Sequence, residues 1–191
     1  LVNLDVRQHG TTLGRYVMSI NEFLVSLLVS VTPVEMDDKL VINEYLNQEA
    51  VCLTQNVYYE ARNQPLAGQM AVMSVTLNRV KDSRYPDTIC GVVKQGPSRP
   101  SWKGTGEMIP IRHKCQFSWF CDGKSDVPAD KDTYNEIYLF TTGLVSGRLS
   151  LLDITDGATH YHADYVSPSW AKTKTKTVEI EDHIFYRWEK K

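Results

Sequence analysis

The sequence predicts an α+β domain, mainly helical, closed by a small antiparallel sheet near its C-terminal end. Three observations carry this expectation. Apolar residues recur at helical spacing through the first two thirds of the chain, and about the last forty residues switch to alternation. The chain has 191 residues, 42% of them hydrophobic, which is enough for one core. No repeat, low-complexity tract or composition shift divides it into two large halves. Residues 1–42 read as an N-terminal extension with an apolar helix, and residues 43–191 as one domain.

The first helix is expected over Ile42 to Arg62, with Leu46, Ala50, Leu53 and Val57 on one face. Asn63-Gln64-Pro65 breaks it, and proline suits the first turn of the next helix, Leu66 to Lys81. Met70, Met73, Val75, Leu77 and Val80 give that helix a buried character. Arg84-Tyr85-Pro86-Asp87 is a turn, and Thr88 to Gln95 a short helix. Gly96 to His113, rich in Gly, Pro and Ser, reads as a long loop. A third long helix is expected over Pro128 to Gly147, buried through Ala129, Tyr134, Ile137, Tyr138, Thr141, Leu144 and Val145. Ala158 to Tyr165 alternates in part, and Thr177–Ile180 and His183–Tyr186 flank Glu181-Asp182 as two strands of a hairpin.

The formal charge is −2, from 21 Lys+Arg against 23 Asp+Glu, so no basic stripe marks a nucleic-acid partner. Lys172, Lys174 and Lys176 alternate with threonines, as on the outer face of a strand. A wall-contacting surface is the functional alternative, since bacterial walls are anionic. Four cysteines, Cys52, Cys90, Cys115 and Cys121, form no zinc-type spacing. Their even number fits two disulfides and an oxidising compartment, with buried thiols as the other reading; spacing leaves the pairing open. Phe23 to Val34 is an apolar run of twelve residues, short of the roughly 20 that span a bilayer. It is expected to pack on the domain or on a partner, with membrane contact as the secondary reading.

Glu60 lies in the last turn of the first helix, where the negative end of the helix dipole disfavours a carboxylate. Tyr58 and Tyr59 add apolar surface, and Arg62 would favour the anion if it pointed the same way. A carboxyl that keeps its proton near neutral pH suits a general acid for glycoside cleavage. The bland reading is a surface glutamate paired with Arg62. Gln69, Asn78, Gln116, Ser118, Thr159, Tyr161 and His162 each sit in or beside an apolar stretch, where a polar group is hydrogen-bonded or functional. Sugars are held by directed hydrogen bonds and aromatic faces, and 116–119 and 160–170 supply both.

NVYYEARNQPLAGQMAVMSVTLNRV followed by RYPDTICGVV resembles the SleB-type cell-wall hydrolase family, which includes spore cortex-lytic enzymes. CQFSWFCDGKSD, GATHYHADYVSPSWA and HIFYR look like the branch found in Gram-negative bacteria and their phages. The similarity runs from Cys52 to Arg187. It implies a fold related to lysozymes and lytic transglycosylases, cleavage of the bond between N-acetylmuramic acid and N-acetylglucosamine, and Glu60 as the catalytic glutamate. It makes peptidoglycan strands the partner and calls for no cofactor or metal. The place of action would be the cell envelope, periplasmic or secreted, or a phage lysis or virion protein. One departure stands out: the family commonly has Gly-Glu after Glu-Ala-Arg, and this chain has Asn63-Gln64.

A second carboxylate would be sought at Asp122, Asp156 or Asp164, yet no pattern marks any of them. A lytic transglycosylase needs only one acid, which later takes the proton of the muramic 6-hydroxyl as a 1,6-anhydro ring closes. That is the expected activity, with a hydrolytic muramidase as the close variant. His160, His162, Asp164 and His183 hold metal-ligand types, so a zinc amidase or peptidase on the stem peptides is a different class of reading. A wall-binding virion module without chemistry is the third.

Overall fold

The computed structural model describes residues 33–189. The apolar run over 23–34 lies almost entirely outside the described residues. Helix α1 spans Pro33–Ala61, and residues up to Asn43 group apart from the compact unit that begins at Glu44. That unit continues with α2 (Leu66–Val80), α3 (Ile89–Val93), β1 (Ser98–Pro100), β2 (Met108–Pro110), α4 (Lys131–Val145), β3 (His160–Ala163), β4 (Thr175–Ile180) and β5 (His183–Arg187). Two 3₁₀ turns, Ser118–Cys121 and Ser169–Thr173, complete it. The expected α+β class, mainly helical with a small antiparallel sheet, is the observed one.

The core forms where four helices meet. Leu53 and Val57 of α1, Val72 and Met73 of α2, Val92 and Val93 of α3 and Ile137 of α4 pack in one cluster with Phe117 and Trp119. Each fully buried Leu or Val side chain contributes about 1.5–3 kcal/mol. The other face of α2, through Ala71 and Val75, packs on Phe185 of β5 and on Ala158. Helix α2 is therefore the layer between α1 and the sheet. The buried Asn56 on this seam is paired at both of its side-chain polar atoms. Asn56 Nδ2 donates to Thr76 Oγ1 at 3.1 Å, and Trp119 Nε1 donates to Asn56 Oδ1 at 3.1 Å. The Glu49 carboxylate accepts the Ile89 and Cys90 amides at 2.6 and 3.3 Å, which caps α3 from α1.

The three-stranded sheet has the order β3-β5-β4, antiparallel throughout. Tyr161 pairs with Phe185 and His162 with Ile184. Glu181, at φ 50°, and Asp182 make the β4–β5 turn expected from the sequence.

Several expectations are corrected. The segment 96–113 holds a two-stranded ribbon, with Arg99 opposite Ile109. Its strands are three residues each and contain Pro100 and Pro110, which masks strand character; proline is tolerated on edges such as these. Helix α4 starts at Lys131, not Pro128, because Asp130 caps it by accepting the Thr133 amide at 3.1 Å. Ala129 thus lies outside the helix and is exposed. Gly147 ends it as expected, in a left-handed conformation at φ 73°. The three lysines do not line one strand. Lys172 is in a 3₁₀ turn, Lys174 stands 4.6 Å above the Trp188 ring, and only Lys176 lies in β4.

All four cysteines are paired. Cys115–Cys121 staples the short loop, and Cys52–Cys90 ties α1 to α3 across 38 residues. In the chain-entropy model a loop of that length is worth about 3–4 kcal/mol. Replacing Cys52 and Cys90 together by alanine is expected to lower unfolding free energy by about that amount, read as a lower urea midpoint. An unchanged midpoint would refute the tie.

Candidate active site

Glu60 sits one residue before the end of α1. Strand alternation sends Tyr161 and Ala163 of β3 to the same side as this helix end, and His160 and His162 to the other. Tyr161 is steadied by Phe185 and His183, at ring separations of 5.6 and 5.2 Å. Its hydroxyl donates to Glu60 Oε2 at 2.7 Å. Burial raises the Glu60 pKa above the ordinary 4.5, against smaller opposing effects of the Tyr161 hydrogen bond and the Arg79 charge. Burial, then the Glu60 charge, pushes the Tyr161 pKa well up, so its hydroxyl stays a donor. Arg79 is buried behind the site. Its Nε donates to the Thr159 carbonyl at 2.8 Å, and its guanidinium lies 5.3 and 5.0 Å from the Tyr85 and Phe117 rings.

Glu60 opens onto a cleft of about 230 Å³. Arg62, Gln64, Tyr165, Asp182 and His183 line it with Glu60, so it runs between the α1–α2 break, the end of β3 and the β4–β5 turn. Arg62 does not pair with Glu60; its guanidinium lies over the Tyr58 ring at 5.1 Å. Tyr59 also borders the cleft and stacks on Trp119 at 4.7 Å.

Of the seven polar residues singled out in the sequence, the structure brings Tyr161 to Glu60. None of the seven is among the residues that line the cleft. Gln69 Nε2 donates to the Gln64 carbonyl at 3.2 Å. Asn78 Nδ2 donates to Asp153 Oδ2 at 2.9 Å and to the Ala158 carbonyl at 3.1 Å, fixing the loop before β3. Thr159 Oγ1 meets His160 Nδ1 at 3.0 Å. His162 joins Tyr186 Oη at 3.1 Å through Nε2 and the Ala163 carbonyl through Nδ1. Gln116 and Ser118 are exposed beside Trp119.

The candidate second carboxylates are also elsewhere. Asp156 is paired with Arg187 at 2.8 Å, Asp122 lies near Lys124 at 3.7 Å, and Asp164 is exposed; none lines the cleft. The carboxylate beside Gln64 is Asp182, which a turn dipeptide gave no reason to single out. Arg79 was also missed, although a charge inside the apolar pattern of α2 is a signal in itself. Among the described residues no three His, Cys, Asp or Glu side chains group as a metal site.

Residues 63–186, about two thirds of the chain, match the family model described as Cell Wall Hydrolase. This chain belongs to the cell wall hydrolase family. The match begins three residues after Glu60. The hydrolase domain is 26% identical over 142 residues to a spore cortex-lytic enzyme of Halalkalibacterium halodurans, covering 74% of this chain and 35% of that protein. It is 40% identical over 53 residues to a spore cortex-lytic enzyme of Bacillus cereus, covering 28% and 20%. The chain thus spans about a third or less of these relatives. The fold matches the catalytic domain of the germination-specific lytic transglycosylase SleB from Bacillus anthracis, with a TM-score of 0.51 and 24% identity over 73% of this chain and 93% of that one. SleB-type membership, read from the motifs, is what these similarities show.

The raised Glu60 pKa has a consequence for stability. The folded state holds this proton more tightly than the unfolded state, so stability falls as pH rises from about 4.5 to the folded pKa and is level above it. Glu60→Gln removes that penalty while leaving an oxygen for Tyr161. The variant is expected to gain stability over the wild type across that window, seen in thermal unfolding at a series of pH values. A difference that does not change with pH would contradict the burial of an ionisable group.

Proposed function

We propose that this domain cleaves the bond between N-acetylmuramic acid and N-acetylglucosamine in peptidoglycan, as a lytic transglycosylase with Glu60 as acid and then base. The observation that carries the reading is a carboxyl whose pKa burial raises, held by a tyrosine hydroxyl, in the lining of a cleft. Tyr161 occupies Oε2, which leaves the acid proton on Oε1, toward the leaving oxygen. When the proton departs, the Tyr161 bond becomes a charge-assisted one and steadies the carboxylate. The muramic 6-hydroxyl then attacks the anomeric carbon and returns its proton to Glu60, closing the anhydro ring. Tyr161 is in this account a positioning residue.

Tyr165, 86% exposed at the cleft, offers a ring face to a sugar. Gln116 and Ser118, exposed next to the Trp119–Tyr59 stack, extend the surface a longer glycan would contact. The place of action is the cell envelope, where the polymer lies. Asp182 in the same cleft favours a second reading, a hydrolytic muramidase in which water replaces the 6-hydroxyl.

Purified sacculi digested with the wild type and with Glu60→Gln test the proposal. The variant is expected to lose about 10²–10⁴-fold in glycan release while keeping its fold. Mass spectrometry of the products distinguishes the readings: anhydro ends are one water lighter than reducing ends. Glycan release at the wild-type rate by Glu60→Gln would reject Glu60 as the acid.

A further inference from the structure

Asp182 shares the cleft with Glu60 but lives in opposite surroundings. Glu60 is dried by its burial, whereas Asp182 is exposed at the tip of the β4–β5 hairpin. Its backbone is fixed, because its carbonyl accepts the Asp164 amide at 2.9 Å just past the end of β3. Its side chain is fixed as well: Gln64 Nε2 donates to Asp182 Oδ2 at 2.9 Å across 118 residues of sequence. Gln64 reaches it by folding over Gly68, where a Cβ would come 2.7 Å from the Gln64 Cβ. The amide N–H donates and the carboxyl oxygen accepts, so this contact orients Asp182 and leaves its other oxygen open to the cleft. The cleft therefore contains one carboxyl that is buried against a tyrosine hydroxyl and one that is exposed and held by an amide. Two carboxyls in surroundings this different are suited to divide the work of glycoside cleavage.

We propose that Asp182, held in place by Gln64, is a catalytic residue: the anion that stabilises the positive charge developing at the anomeric carbon as Glu60 protonates the leaving oxygen. This rests on the glycosidase reading of the cleft. The bond between the anomeric carbon and the bridging oxygen breaks, and its electron pair goes to that oxygen, which takes the Glu60 proton. The incoming hydroxyl bonds to the anomeric carbon and gives its proton to Glu60. Asp182 exchanges no proton.

Three variants assayed on purified peptidoglycan test this. Asp182→Asn keeps a neutral hydrogen bond to Gln64 and removes only the charge. It is expected to lower kcat about a hundredfold, with KM and melting temperature little changed. The exchanged double variant, Gln64→Glu with Asp182→Asn, moves the carboxylate one hydrogen bond across the cleft and is expected to regain part of the lost kcat. Glu60→Gln serves as the reference. An inactive Glu60→Gln beside an Asp182→Asn with wild-type kcat overturns the role of Asp182 and leaves that of Glu60 intact. Loss in Asp182→Asn with a lowered melting temperature and no recovery in the exchanged variant also overturns it, as a structural effect. A Glu60→Gln as active as the wild type instead overturns the reading of the cleft.

Discussion

The hydrogen bond from Tyr161 to Glu60 ties the end of α1 directly to the sheet. Everything around the site depends on that meeting. A carboxyl on the last turn of a helix, already disfavoured as an anion by the dipole, is dried further by packing. The tyrosine neither neutralises it nor exposes it. It fixes one oxygen and leaves the other for chemistry.

Such a carboxyl is a local cost that the rest of the fold offsets. Helix α2 packs on α1 with one face and on β5 with the other, so the helix end and the strand cannot drift apart independently. The Asn56–Thr76 and Asn56–Trp119 hydrogen bonds lock the same seam. The Cys52–Cys90 disulfide and the Glu49 cap on α3 hold α1 against α3 about two to three turns before the site. Rigidity upstream is what allows a strained electrostatic arrangement at the end of α1 to persist.

Much of this was legible in the sequence, and the reasons are specific. Helices α1, α2 and α4 show because apolar residues recur on one face; the β4–β5 hairpin shows because alternation stops at Glu181-Asp182. Glu60 and Tyr161 could be singled out from helix-end electrostatics, motif and polarity. Their contact spans 101 residues, and no local pattern encodes it. Asp182 was invisible for the same reason: it reads as a turn residue until the fold sets Gln64 against it. The polar residues Asn78, Thr159 and His162 looked alike in sequence to Tyr161, yet hydrogen bonds within the fold engage them, so polarity within an apolar stretch identified burial better than it identified the site. The β1–β2 ribbon stayed hidden because three-residue strands carry too little alternation to detect.

Family membership places the chain among cell wall hydrolases, but the matched span starts after Glu60, so the acid has to be justified by its own surroundings. The most direct test is a titration of the Glu60 carboxyl by carbon-13 NMR in glutamate-labelled protein, assigned by the signal lost in Glu60→Gln. The account predicts one carboxyl that titrates above 4.5, and absence of that transition from the variant. A Glu60 signal that titrates at or below 4.5 would contradict it.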